Sequence, residues 1–229
     1  MVGRQLNWND YATAWARLHG GFDPRAATPV VRGWLRFSYH IGFLLGRLRV
    51  GPTAVTVAGV LLCLCVPLLA VRPGDGPFLG ALFVLLASVA DSVDGAVAVA
   101  TGRTTRLGYV YDSLADRIGE AAWLVAFWLV GAPGALVAAG GALSWLHEYV
   151  RARAVAAGMR EIGAVTVGER PTRVCVAVAG LLLAGLSGLI EVDLAAGTIT
   201  MATAVWVLLA AFGLGQLLSA VRRALIDAG

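Results

Sequence analysis

The chain has no lysine, so all 18 of its basic residues are arginine. It is poor in charge of either sign, with 14% of its 229 residues charged against 59% hydrophobic. A soluble domain carries roughly a quarter of its residues as charges, so this deficit excludes one and marks a membrane protein. Cysteine is scarce too. Cys63, Cys65 and Cys175 fall in apolar runs and in no metal-ligand spacing, which excludes a disulfide framework and reads them as small core residues. The opening residues lack a basic region followed by an apolar stretch and a small-residue cleavage site, so no signal peptide is expected. Internal repeats and low-complexity segments are not evident.

Apolar length is what the chain has in abundance. Uncharged runs occupy Pro52–Val71, Pro77–Ala90, Ala121–Leu146, Val174–Ile190 and Leu194–Val221, and a helix needs about 20 residues to cross about 30 Å of hydrocarbon. Gly131-Ala132-Pro133-Gly134 is a turn signal that divides the third run between two helices. The expectation is an all-α, polytopic membrane protein with six transmembrane helices over 52–71, 77–100, 106–130, 134–157, 173–190 and 198–220. With both termini on the cytoplasmic side of the cell membrane, 17 of 18 arginines fall on that side and only Arg72 lies outside, as basic loops tend to be distributed. The basic excess is thereby assigned to topology and the lipid bilayer, and no nucleic-acid partner is expected.

Residues 1–51 precede the first span of a transmembrane domain running over 52–229. Trp8, Tyr11, Trp15 and Leu18 recur at steps of three and four and share one helical face, which suits the headgroup layer. A second amphipathic segment starts at Thr28-Pro29, with proline at the first helical position, and carries Trp34, Leu35, Phe37, Ile41 and Leu45 with Arg32 and Arg36 together. The segment reads as an N-terminal interfacial helix whose arginines face anionic lipid.

Four acids interrupt this oily chain. Asp91, Asp94 and Ala98 are spaced i, i+3, i+7, and Gly108, Asp112 and Asp116 are spaced i, i+4, i+8, so each set lies on one face of its helix. The loop Ala100–Leu107 is short, making the two helices a hairpin with its aspartates near the cytoplasmic end. Acids that close repel unless protonated or bridged by cations. Membrane carboxylates are costly and mark function, and a proton or cation pathway would set them at mid-bilayer. Hard divalent cations prefer carboxylate oxygens, and two of them about 4 Å apart clamp a diphosphate through substitution at phosphorus. Gly95 and Gly108 let a nucleotide or phosphate approach the backbone.

These residues resemble the CDP-alcohol phosphotransferases, whose pattern is D-x2-D-G-x2-A-R-x8-G-x3-D-x3-D. Asp91, Asp94, Gly95, Ala98, Gly108, Asp112 and Asp116 occupy every position but one, where Val99 stands for the family arginine and Arg103 follows a turn later. The resemblance implies two divalent ions, Mg²⁺ or Mn²⁺, held by Asp91, Asp94, Asp112 and Asp116, with Asp116 also acting as general base. It implies a CDP-diacylglycerol donor whose CDP moiety lies against Gly95, Ala98, Arg103 and Gly108, release of CMP, and a homodimer.

Five arginines, Arg151, Arg153, Arg160, Arg170 and Arg173, fall within 23 residues. Guanidinium groups suit a phosphorylated acceptor through paired hydrogen bonds, and Arg151, Arg153, Arg170 and Arg173 are the candidate acceptor ligands. Tyr-x-Arg-Ala-Arg-Ala followed by Glu-Arg-Pro-x-Arg resembles the actinobacterial phosphatidylinositol-phosphate synthases, which implies an inositol phosphate-like polyol as acceptor. Glu148 beside His147 stands where those enzymes tend to carry a small polar residue, which leaves glycerol 3-phosphate or an uncharged alcohol open. A family member that lost turnover with its arginine at Val99, and acts as a transporter or binding protein, is the competing class.

Overall fold

The structure is a computed structural model that describes residues 6–18, 21–159 and 166–226. Among them are eight helices and no strand: α1 (Trp8–Leu18), α2 (Pro29–Arg47), α3 (Pro52–Ala70), α4 (Gly76–Thr101), α5 (Arg106–Val130), α6 (Gly134–Ala156), α7 (Arg170–Gly188) and α8 (Val192–Ile226). Four of them, α3, α4, α7 and α8 from Asp193, are long and apolar enough to cross a membrane. Helices α5 and α6 have the length but carry the acids and arginines that concern the site. Large apolar side chains such as Leu61, Leu68, Trp128, Leu183, Leu208 and Phe212 are exposed, a surface suited to lipid rather than water. The chain groups into two compact units, Met1–Leu61 with Leu86–Asp116 and Leu62–Leu85 with Arg117–Gly229.

In the first unit Asn7 caps α1. Its Oδ1 accepts from the Asp10 backbone N–H at 3.0 Å, satisfying one of the N–H groups that a helix start leaves open, and its Nδ2 donates to the Asp10 carboxylate at 2.9 Å. The aromatic face expected in the headgroup layer is in part turned inward. Tyr11 is fully buried, packed with Tyr39, Ala96 and Val99 and flanked by Trp8 and Trp15, and Arg36 stacks 5.2 Å over the Trp8 ring. The rings of Trp8, Tyr11, Trp15 and Tyr39 pack against one another with centroids 5.0–5.8 Å apart, while Leu18 alone of the α1 face remains well exposed. Burial lifts the Tyr11 phenol above its ordinary pKa. Helix α2 buries Leu35, Tyr39 and Gly42 and leaves Trp34, Phe37 and both Arg32 and Arg36 exposed. A side chain at Gly42 would come within 2.9 Å of Ala96 Cβ, so only glycine permits this approach of α2 to α4.

The turn between α4 and α5 is built by its own residues. Gly102 takes a left-handed φ of +66°, and the Arg103 N–H reaches back to the Ala98 carbonyl at 2.8 Å, the pattern that ends a helix at glycine. Thr105 then caps α5, its Oγ1 accepting from the Gly108 N–H at 2.9 Å. The reversal sets the aspartate-bearing ends of both helices in one unit.

In the second unit α8 packs against both α6 and α7. Trp206 donates to Ser144 Oγ at 3.0 Å and meets Phe127 edge-on. The Val167 N–H donates to Gln216 at 3.0 Å, tying the chain just before α7 to α8. Of the cysteines, Cys63 is buried, whereas Cys175 is exposed on α7 rather than in a core, because an apolar span need only face lipid.

Candidate active site

Asp91 on α4 and Asp112 and Asp116 on α5 bring one carboxylate oxygen each to within 4.8 Å of one another, all three half-buried. The spacing reflects the helix repeat: four residues return to nearly the same face, so Asp112 and Asp116 stand one turn apart. A set of hard oxygens of this span fits a divalent cation whose bonds to oxygen are about 2.0–2.6 Å. Asp91, Asp112 and Asp116 would hold the ion, and when bound it supplies positive charge to a phosphate and its leaving group.

Asp94 stands apart from these three. It is buried, and its Oδ2 lies 2.5 Å from the hydroxyl of Thr56 on α3, which also lies 3.1 Å from the Pro52 carbonyl. Three residues advance a helix by about 300°, which keeps Asp94 on the Asp91 face but rotated by about 60°, toward α3. Thr56, one of two threonines at the start of the first apolar span, is the partner that spacing along the chain did not link to Asp94. Beside Asp91, Ser92 accepts from the Trp34 indole at 3.0 Å.

Gly95 faces open space, with nothing within 4 Å of where a side chain would start, and Ala98 is half-buried one turn on. At Gly108 a side chain would meet the Thr105 cap at 3.0 Å. Val99 is buried in the Tyr11–Tyr39 cluster. Because α4 stops at Thr101, Arg103 lies on the exposed turn rather than one helical turn past Val99, with its Nη1 3.8 Å from where a Gly51 side chain would begin.

The acceptor candidates lie in the second unit and differ among themselves. Arg173 is buried and donates to both oxygens of buried Glu120, at 2.9 and 3.0 Å. Arg151 pairs with Glu169, which also accepts from the Thr166 N–H and hydroxyl at 3.2 Å. Arg170 stacks 5.9 Å over Trp123, and Arg153 is exposed. Arg160 lies outside the described residues. Arg117 joins this group, 3.2 Å from Glu120 and 3.6 Å from Glu148. Glu120 was missed from sequence, since Arg173 lies 53 residues on, and Glu169 was legible only as part of the Glu-Arg-Pro-x-Arg run, its partner Arg151 lying 18 residues back.

Apolar helices of bilayer length, with converging carboxylates on a hairpin, define a multi-pass membrane protein with a polar centre fit for a divalent cation. The CDP-alcohol phosphatidyltransferase model matches residues 49–212. The chain belongs to this family, and it is a phosphatidyl-transferring enzyme of phospholipid synthesis. It is similar to the phosphatidylinositol phosphate synthase of Corynebacterium glutamicum, 34% identical over 160 residues that cover 66% of this chain and 72% of that one. The corresponding synthase of Mycolicibacterium smegmatis is 37% identical over 152 residues, 62% of this chain and 65% of that one. Among solved structures, Mycobacterium tuberculosis phosphatidylinositol phosphate synthase with CDP-DAG bound superimposes with a TM-score of 0.65 at 28% identity, over 81% of this chain and 94% of that one. The same enzyme with manganese and citrate gives 0.65 at 27% identity, over 80% and 88%.

Proposed function

We propose that the chain transfers the phosphatidyl group of CDP-diacylglycerol to a phosphorylated, inositol phosphate-like polyol and releases CMP. The observation that carries this reading is the convergence of Asp91, Asp112 and Asp116 in a chain whose relatives are named phosphatidylinositol phosphate synthases. The solved structure of such a synthase with CDP-DAG bound supports the donor, and the one with manganese supports a divalent ion.

In this reading Asp91, Asp94, Asp112 and Asp116 serve two ions, Mg²⁺ or Mn²⁺, with Asp94 set by Thr56, and they hold the donor diphosphate. Gly95, Ala98 and Gly108 offer backbone approach to the CDP moiety, and Arg103 adds charge near it. A hydroxyl is a poor nucleophile, so Asp116 takes its proton as the oxygen attacks the phosphatidyl phosphorus. The new O–P bond forms, the bond to the bridging oxygen of the diphosphate breaks, and CMP leaves with that electron pair. Arg151, Arg153, Arg170 and Arg173 receive the acceptor phosphate. Six spans, both termini in the cytoplasm, an interfacial segment over 1–51, a transferase domain over 52–229 and a homodimer complete the proposal.

The test is CMP release by the purified protein in detergent with Mg²⁺ or Mn²⁺, comparing inositol phosphate, glycerol 3-phosphate, serine and free inositol. Release dependent on inositol phosphate is expected, and no release with any acceptor would sink the reading. Asp91→Asn and Asp112→Asn are expected to abolish turnover and donor binding together. Asp116→Asn is expected to retain donor binding and lose transfer by about 10²-fold or more; a retained rate contradicts its role as base.

A further inference from the structure

The carboxylates of the second unit are held in different ways. Glu120 meets Arg173 with both oxygens at hydrogen-bond distance, and Glu169 accepts from Arg151 and Thr166. Glu148 on α6 is held loosely. Its Oε1 stands 3.6 Å from Arg117 Nη1, 3.7 Å from Arg173 Nη2 and 3.6 Å from His147 Nδ1, each beyond the length of a good hydrogen bond. Its side chain is 31% exposed, while those of Arg173 and His147 are 3% and 0% exposed.

The donors around it have capacity to spare. Arg173 Nε and Nη2 are buried and make no hydrogen bond among the described residues. His147 Nε2 is 2.9 Å from the Thr166 hydroxyl, which itself donates to Glu169, so the N–H of the neutral ring lies on Nε2 and Nδ1 turns a lone pair toward Glu148. A buried guanidinium with unused N–H groups is costly and prefers an oxyanion it can grip with two hydrogen bonds. Glu148 compensates the charge without supplying those bonds. With it in place Arg117 and Arg173 face two carboxylates, Glu120 and Glu148, and their charges balance. When it moves outward a net positive, donor-rich pocket remains.

We propose that Glu148 is the specificity-determining residue of the acceptor site: its carboxylate holds the place of the acceptor's anionic group against Arg117 and Arg173, and a phosphorylated acceptor binds by displacing it. This rests on the reading that the acceptor is phosphorylated. The residue acts as a built-in competitor, so it raises the acceptor concentration the enzyme requires and leaves the donor untouched.

The test uses the full chain in detergent with divalent metal and saturating CDP-diacylglycerol. Glu148→Gln is expected to lower the apparent KM for inositol phosphate at least about fivefold, the water-like limit for unit charges about 4 Å apart, with the KM for donor unchanged. Inorganic phosphate, competing with the acceptor, is expected to inhibit the variant at correspondingly lower concentration. Glu148→Asp, which keeps the charge, is expected to stay near wild type. An unchanged or raised acceptor KM in a Glu148→Gln protein that elutes as folded overturns the proposal. Where turnover is lost, thermal stabilisation by inorganic phosphate reads the pocket directly, and stabilisation no greater than in wild type overturns it equally. A wild-type enzyme that uses free inositol and ignores inositol phosphate overturns the acceptor reading instead, and phosphate stabilisation of the variant still reports on Glu148 alone.

Discussion

At the residue scale, Arg173 shows how one side chain can belong to a site and to the fold together. Its guanidinium neutralises Glu120, and both are almost wholly enclosed. Removing one member of such a pair strands a charge in a medium that solvates it poorly, a loss of about 3–5 kcal/mol. Arg173→Ala is therefore expected to lower the unfolding temperature in detergent before any effect on acceptor KM is seen, and adding Glu120→Gln is expected to recover part of it. Arg153, exposed on α6, is the contrasting case: Arg153→Ala is expected to leave stability unchanged and act on the acceptor KM only. Equal unfolding temperatures for the two single variants would contradict the structural half of this assignment.

At the element scale, α1 and α2 form an aromatic cover over the end of α4. Tyr11, Tyr39 and Ala96 enclose Val99, so the valine that replaces the family arginine is a packing residue here. An arginine at that position would bring a charge among aromatic rings, which is why Val99→Arg is expected to destabilise rather than to tighten donor binding. Tyr11 sits at the centre of the cover, and its hydroxyl is buried with no hydrogen-bond partner among the described residues. An unsatisfied buried hydroxyl costs about 1–3 kcal/mol, and phenylalanine has the same ring without it. Tyr11→Phe is expected to match or exceed the wild-type unfolding temperature, whereas Tyr11→Ala opens a cavity and loses about 3–5 kcal/mol. A marked loss in Tyr11→Phe would mean that the hydroxyl has a partner, for which a bound ligand or lipid is the first candidate.

At the scale of the whole molecule, the exposed leucines, valines and tryptophans of α3 to α8 suit lipid, and the proposed orientation rests on the arginine distribution. With all three native cysteines replaced, Asp75→Cys between α3 and α4 is expected to react with an impermeant maleimide from outside the cell. Arg103→Cys on the α4–α5 turn is expected to react only after permeabilisation. Both sites are exposed, so the contrast measures sidedness rather than burial, and the reverse pattern would invert the proposed topology.

The sequence by itself determined the helices and the local pattern of the site. Uncharged runs and turn residues located α5 over 106–130 to the residue and α3, α4 and α6 to within one. The four-residue step between Asp112 and Asp116 set them on one face because the helix repeat does so wherever the helix packs. The last helix was less legible. An uncharged run marks hydrocarbon thickness, whereas backbone hydrogen bonding carries α8 from Val192 to Ile226, past Asp193 and through Arg222 and Arg223. Only the tertiary structure decided which charges meet. Thr56 and Asp94 are 38 residues apart and Glu120 and Arg173 are 53 apart, so no helical or strand spacing links them. It also decided that Tyr11 faces Val99 rather than lipid and that Glu148 stands loosely between two guanidinium groups. Spacing along a chain reports which side chains share a face; which faces meet depends on how the helices pack.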